Sequence, residues 1–101
     1  MTDIIDKSVS RTYRKRPIVI WAFQLTEDQL KNFGPFPEWA KDDLTPDIDS
    51  KGKRDERHIL IRTKEGTMIA EEGTYIICGV WGELYPCQKH IFESTYDLVQ
   101  E

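Results

Sequence analysis

The sequence of 101 residues has few of the features that mark secreted and membrane proteins. It contains only two cysteines, Cys78 and Cys87, which is too few for the disulfide framework of a small secreted domain. No apolar run approaches the roughly 18 residues that a membrane-spanning helix needs. The first sixteen residues lack the basic-then-apolar order of a secretory signal. These absences predict a cytoplasmic protein with reduced thiols and no membrane partner.

An excess of positive charge is also missing, since the formal net charge is −4. A general nucleic-acid binder is normally basic, so we expect no nucleic-acid partner. The sequence has no glycine-rich phosphate loop of a recognised form, and it predicts no cofactor. What it does have is 39% hydrophobic and 11% aromatic residues, which is typical of a folded globular chain. At this length we expect one domain, over 13–101, preceded by a flexible N-terminal arm over 1–12.

The first strong pattern is PIVIWAFQL, Pro17 to Leu25, which is apolar on both faces and predicts a buried central strand. A helix should follow, because Thr26 and Gln29 have the spacing of a capping box. Gly34 and the proline after it should end that helix after about two turns. A second short helix is expected to begin at Pro37 and to carry Trp39 and Ala40 inward.

The remainder indicates short strands joined by turns. The stretch 45–57 has one apolar residue and predicts a solvated, mobile loop, which is either functional or simply tolerated. Strands are expected at 58–63, 67–71, 74–80, 83–86 and 96–99, with a helix over about 88–94. The predicted fold class is therefore α+β, a small antiparallel sheet, open or rolled, with short covering helices.

The strands at 74–80 and 83–86 predict a hairpin with a two-residue loop, Trp81-Gly82. In that register Cys78 faces Tyr85, and both share one side of the sheet with Glu83. We expect that side to be partly exposed because it mixes thiol, phenol and carboxylate groups. Cys78 and Cys87 would be diagonal neighbours, and no disulfide bond is expected between them.

Two segments, YRKRPIVIWAFQLT and TKEGTMIAEEGTYIICGVWGELYPCQKHIFESTYDLV, resemble a family of small phage and prophage proteins. The resemblance covers about 13–99. The positions in register with the family are Gly73, Tyr75, Gly79, Gly82, Glu83, Tyr85, Pro86, Cys87, Phe92 and Tyr96. Thr74, Lys89 and His90 depart from the family's residues. The resemblance implies a phage accessory protein in the cytoplasm of a bacterial host, acting on that host and its defences.

The cysteines and histidines raise two chemical hypotheses. A zinc site would have to gather Cys78, Cys87, His58 and His90 without any pair at C-x-x-C spacing, so we expect no metal site. Cys87 would begin the predicted helix at 88–94 with His90 one turn later, as a nucleophile and its base would. The alternative is a small apolar residue packed under the turn. Because His90 lies outside the family pattern, the sequence favours packing, and we expect no enzymatic activity.

Two other features suggest binding. Trp81, at the tip of the predicted hairpin, either packs on a neighbouring helix or anchors a partner. The cations Arg11, Arg14, Lys15 and Arg16 either solubilise the strand end or bind phosphates.

Three functions follow from these features. The first is capture of a small anionic, nucleotide-like host molecule, such as a defence signal. Its candidate binding residues are Arg14, Arg16, Tyr75, Trp81 and Tyr85. The second is docking on a host or phage protein through the Trp81 hairpin, which requires an exposed indole. A cysteine-dependent enzyme is a distant third, and in each case we expect a homo-oligomer.

Overall fold

The computed structural model describes residues 10–14 and 16–99. Its strands form two antiparallel three-stranded sheets, ordered β1-β5-β6 and β2-β3-β4. The elements are β1 (Trp21–Gln24), α1 (Glu27–Asn32), a 3-10 turn (Lys41–Asp43), β2 (Leu44–Ile48), β3 (Arg54–Thr63), β4 (Gly66–Glu71), β5 (Tyr75–Cys78), β6 (Leu84–Cys87) and α2 (Lys89–Thr95). The predicted α+β class with antiparallel strands and short helices is confirmed, with two sheets in place of one.

The first sheet corrects the prediction of a buried central strand over 17–25. β1 begins only at Trp21, lies at an edge and pairs with β5, while Pro17, Ile18 and Val19 are exposed. The central strand is β5, in which Ile76 and Ile77 are both fully buried. An apolar run without alternation is consistent with a central strand, but it does not show how many neighbours the strand will have.

The second sheet corrects the predicted loop at 45–57. β2 and the start of β3 occupy most of that stretch, and only 49–53 connects them. The Asp49 carboxylate accepts the backbone N–H groups of Lys51 and Lys53 at 2.8 and 2.9 Å, and this closes the turn. Polar residues form these strands because backbone hydrogen bonds pair β2 with β3 while exposed side chains meet water.

Helix α1 forms as predicted. Thr26 Oγ1 accepts the Gln29 N–H at 3.2 Å, and Gln29 Oε1 accepts the Thr26 N–H at 3.0 Å, so the capping box is confirmed. The helix ends at Asn32, just before Gly34, as expected. The predicted helix from Pro37 is wrong, because a turn and a three-residue 3-10 helix replace it.

One hydrophobic core lies between the sheets. Its fully buried side chains come from both sheets, α1 and the turn after it: Leu25, Leu30, Ala40, Leu44, Ile59, Ile61, Ala70, Ile76 and Leu84. Phe23, Phe33, Phe36 and Trp39 pack around this cluster. Trp39 meets Phe23 edge-on, with ring centroids 5.7 Å apart, so the inward direction predicted for Trp39 and Ala40 is confirmed.

Near the C-terminal end one predicted element is confirmed and one is wrong. The predicted helix near 88–94 is confirmed as α2, but the strand predicted at 96–99 is wrong, because that segment is irregular. Most of the predicted arm over 1–12 lies outside the described residues. Neither helix in the described part of the chain has the length and apolar character to cross a membrane.

Candidate functional site

The β5–β6 hairpin has a register that differs by one residue from the predicted one. Cys78 pairs with Leu84 and Ile77 pairs with Tyr85, and five residues, 79–83, connect the strands. A one-residue slip moves each side chain of one strand to the other face. Cys78 therefore lies on the core side with Leu84, and Tyr85 lies on the opposite side with Ile77. The predicted face shared by Cys78 and Tyr85 is wrong.

The longer connection is held by its own hydrogen bonds. Gly79 N–H donates to the Glu83 carbonyl at 2.8 Å, and Gly82 N–H donates to the Gly79 carbonyl at 3.0 Å. The Glu83 side chain folds back and accepts the Trp81 N–H at 2.9 Å. Gly82 has φ of +81°, a conformation that glycine adopts without strain. The Glu83 contact, which residue spacing does not reveal, accompanies a wider connection in place of the predicted two-residue turn.

Gly79 leaves the space that the Glu83 carboxylate occupies. A Cβ atom at position 79 would lie 2.5 Å from Glu83 Oε2, closer than real Cβ contacts. Glycine at this position therefore permits the carboxylate to reach the Trp81 N–H. Gly79 and Glu83 together fix the backbone of the connection between β5 and β6.

We expect Gly79→Ala and Glu83→Ala each to lower the free energy of unfolding by about 0.5–1.5 kcal/mol, because each removes the hydrogen bond to Trp81 N–H. The double variant should cost no more than the larger single change, because both remove the same interaction. Urea denaturation of the four proteins measures the coupling. Additive losses would show that Gly79 and Glu83 act independently.

The connection places two apolar side chains in solvent. We call Val80 and Trp81 the hairpin tip. Trp81 is 82% exposed, and Val80 is exposed beside it. The hypothesis that Trp81 packs on a neighbouring helix is therefore wrong. Trp21, 71% exposed, pairs with Cys78 at the same end of the sheet.

The face of the sheet opposite the core is covered by α2. Tyr75 and Phe92 stack with ring centroids 3.8 Å apart, and Phe92 stacks on Tyr96 at 4.8 Å. Tyr75 Oη donates to Glu93 at 3.1 Å. Burial, followed by the bond to Glu93 and its negative charge, raises the pKa of Tyr75. Its ring and hydroxyl are thus already engaged within the protein.

Tyr85 lies on the same face. Burial raises the pKa of Tyr85, and neighbouring Tyr96 and Glu83 raise it further. Beneath these rings Ile77 is fully buried. The family positions Tyr75, Tyr85 and Tyr96 therefore contribute to the packing of α2 on the first sheet.

An open groove of about 1030 Å³ runs between the start of β1 and the segment after α2. Apolar residues dominate its walls, which include Ile18, Val19, Ile20, Tyr75, Leu98 and Val99. Of the five residues predicted to bind an anion, this groove contains only Tyr75. Arg14 and Arg16 are exposed on the segment before β1, Trp81 is at the hairpin tip, and Tyr85 packs near Tyr96.

A polar cleft lies at the other end of the molecule, where β2 and β3 meet. His58 Nε2 is 2.7 Å from Asp47 Oδ2, and His58 Nδ1 is 4.0 Å from Asp55 Oδ2. Arg57 donates to both oxygens of Asp55, and these bonds hold the pKa of Asp55 well below its usual range. Sequence reasoning missed this trio because it assigned 45–57 to a loop.

This trio is the one group of histidine, cysteine and acidic side chains within 10–14 and 16–99 that lies close enough to hold a metal ion. The two carboxylates flank opposite nitrogens of the His58 ring, and Arg57 already balances Asp55. These contacts tie β2 to β3. The four residues considered for zinc are not gathered, since the group contains neither cysteine nor His90.

Both thiols are free and partly buried. Cys78 packs against the core and Cys87 ends β6, on the opposite face of the sheet. His90 is exposed on α2. The local structure thus assigns Cys78 a packing role.

Comparisons of this chain with protein-family models, curated proteins and solved structures gave no match. The likeness to small phage proteins therefore stays a resemblance of sequence pattern. We take the hairpin tip as the candidate binding site, because it presents an exposed indole on a hydrogen-bonded turn.

Proposed function

We propose that this protein is a non-enzymatic binding module that docks on a second protein through its hairpin tip. The observation that carries the proposal is the 82% exposure of Trp81 on a hydrogen-bonded turn. Tryptophan is enriched among the few interface residues that dominate binding energy. The docking hypothesis required an exposed indole, and the structure meets that requirement.

The turn also reduces the ordering needed on binding. Three hydrogen bonds fix the backbone from Gly79 to Glu83, so the Cα atom of Trp81 starts from a defined position. A preorganised contact loses less conformational entropy on association than a mobile loop does.

The partner we propose is a host bacterial protein with an apolar pocket sized for an indole. The choice of a host protein rests on the resemblance to small phage proteins. Capture of a nucleotide-like anion receives less support, because the rings and guanidinium groups named for it do not line the larger groove together. Tyr75, which does, is engaged by Phe92 and Glu93.

The experiment places a photo-crosslinking amino acid at position 81 and, as a control, at Ile69, an exposed apolar residue on the second sheet. We expect one bacterial protein to be crosslinked from position 81 and not from position 69. With that protein purified, Trp81→Ala should weaken binding about 30-fold or more, as the loss of a dominant contact does. Because Trp81 is exposed, the melting temperature should change little.

Two results would count against docking. One is equal binding by the wild-type protein and Trp81→Ala in calorimetric titration. The other is a thermal shift with a panel of cyclic nucleotides and ADP-ribose derivatives, accompanied by no crosslink from position 81. That second pattern would favour capture of a small anion and would direct attention to Arg14 and Arg16.

A further inference from the structure

A second surface, distinct from the hairpin tip, lies along the open edge of β1. Among the described strands β1 pairs only with β5. Leu25 N–H donates to the Thr74 carbonyl on the β5 side at 2.9 Å. Because an antiparallel ladder alternates, the N–H and C=O groups of Ala22 and Gln24 point away from β5 and toward the open edge.

β1 is four residues long, and it contains no charged side chain and no proline. Natural edge strands carry charges, prolines or bulges that block a second chain. Here Val19 and Trp21 are large, apolar and mostly exposed, and Ile18 is partly exposed. Within 17–25 the one proline is Pro17, which lies before the strand begins.

Further apolar surface lies beside the edge. Leu98 and Val99 are exposed on the wall of the groove that also contains Ile18 and Val19. These side chains extend the exposed apolar surface beside β1 beyond the strand itself.

Charged residues before and after β1 indicate which chain can pair with it. Arg14 and Arg16 precede the strand, and Glu27 and Asp28 follow it, with all four side chains exposed. If a second β1 pairs antiparallel, the cationic end of each copy meets the acidic end of the other. Parallel pairing would bring like charges together. The strand is thus complementary to itself in one direction only.

We propose that two copies of this chain pair antiparallel through β1 to form a continuous six-stranded sheet, β6-β5-β1-β1-β5-β6. The contact is isologous, as in most homodimers, because the same surface is used by both copies. It buries Val19 and Trp21 and satisfies the open-edge backbone groups of Ala22 and Gln24. The proposal does not depend on docking through Trp81, and the dimer carries two hairpin tips.

The first test is sedimentation equilibrium of the purified protein at concentrations up to about 100 µM. We expect a dimer for the wild-type protein. Ala22→Pro should weaken the dimer at least 10-fold, because it removes a donor on the open edge and leaves the β5 ladder intact. Trp81→Ala, the control, should remain dimeric, which separates this proposal from the docking proposal.

The second test uses charge reversal and does not rely on the fold tolerating a proline. One variant carries Arg14→Glu and Arg16→Glu, and the other carries Glu27→Lys and Asp28→Lys. Each alone should be monomeric, because like charges meet at both ends of the pair. When the two variants are mixed, opposite charges meet at both ends, and a heterodimer should form.

Several outcomes would overturn the proposal. A monomeric wild-type protein at the highest concentration would show that β1 does not bind a second copy. The open edge of β1 would then be available to a strand of another protein. A dimer unaffected by Ala22→Pro, in a variant with wild-type circular dichroism, would place the interface elsewhere. Mixed charge variants that stay monomeric would exclude the antiparallel pairing.

Discussion

Ile61→Ala will lower the free energy of unfolding by about 2–5 kcal/mol, the range for truncating a fully buried isoleucine. The side chain of Ile61 is 0% exposed and belongs to the core between the two sheets. Truncation removes three carbon atoms from water-free surroundings and leaves a cavity that neighbouring strands cannot fill without moving. Urea denaturation followed by circular dichroism measures the change.

Ile69 on β4 provides the matched control. It lies in the same hairpin as Ile61 but is 57% exposed, so the same substitution removes mostly hydrated surface. We expect Ile69→Ala to change the free energy of unfolding by less than about 1 kcal/mol. Equal losses at the two positions would mean that the inward and outward faces of the second sheet are assigned wrongly.

Arg54→Met will lower the free energy of unfolding by about 2–4 kcal/mol, because it removes two hydrogen bonds from a charged donor. The Arg54 guanidinium donates to the carbonyl oxygens of Leu30 and Lys31 in the last turn of α1. Those carbonyls have no partner within the helix, so the arginine serves as its C-terminal cap. The Arg54 side chain is 22% exposed, which limits replacement of these bonds by water.

Arg62 on the same strand is the control for Arg54. It pairs with Asp43 at 2.7 Å, but its side chain is 73% exposed. An exposed ion pair contributes about 0–1 kcal/mol, so Arg62→Met should have a small effect. The comparison is made by thermal and urea unfolding of both variants. A larger loss for Arg62→Met than for Arg54→Met would contradict the capping role.

Local chemistry made α1 predictable. The capping box of Thr26 and Gln29 and the stop near Gly34 each depend on residues a few positions apart, and the structure shows both. The strands of the β3–β4 hairpin, expected at 58–63 and 67–71, were predictable for the same reason, since they adjoin in sequence. Such elements depend little on the rest of the chain.

Other predictions failed because they depended on distant partners. The segment 45–57 has one apolar residue, and most of it becomes strand because β2 and β3 supply hydrogen bonds to each other. The hairpin register shifted because the Glu83 carboxylate occupies the space above Gly79 and lengthens the connection. A residue pattern does not show where a side chain folds back.

The candidate site was identified in part. Trp81 was selected from the sequence as a docking residue, and its exposure agrees with that choice. The grouping of Arg14, Arg16, Tyr75, Trp81 and Tyr85 into one pocket was not predictable from spacing. Tyr75 and Tyr85 became packing residues because α2 folds over their face of the sheet.

The sequence by itself determined the α+β class, helix α1 and the positions of most strands, because hydrophobic periodicity and capping act over a few residues. Only the tertiary structure decided that there are two sheets, that β1 lies at an edge and that Trp81 stands in solvent. The physical reason is that burial and pairing depend on which segments meet across the core. Those contacts join residues far apart in the chain, and local patterns do not encode them.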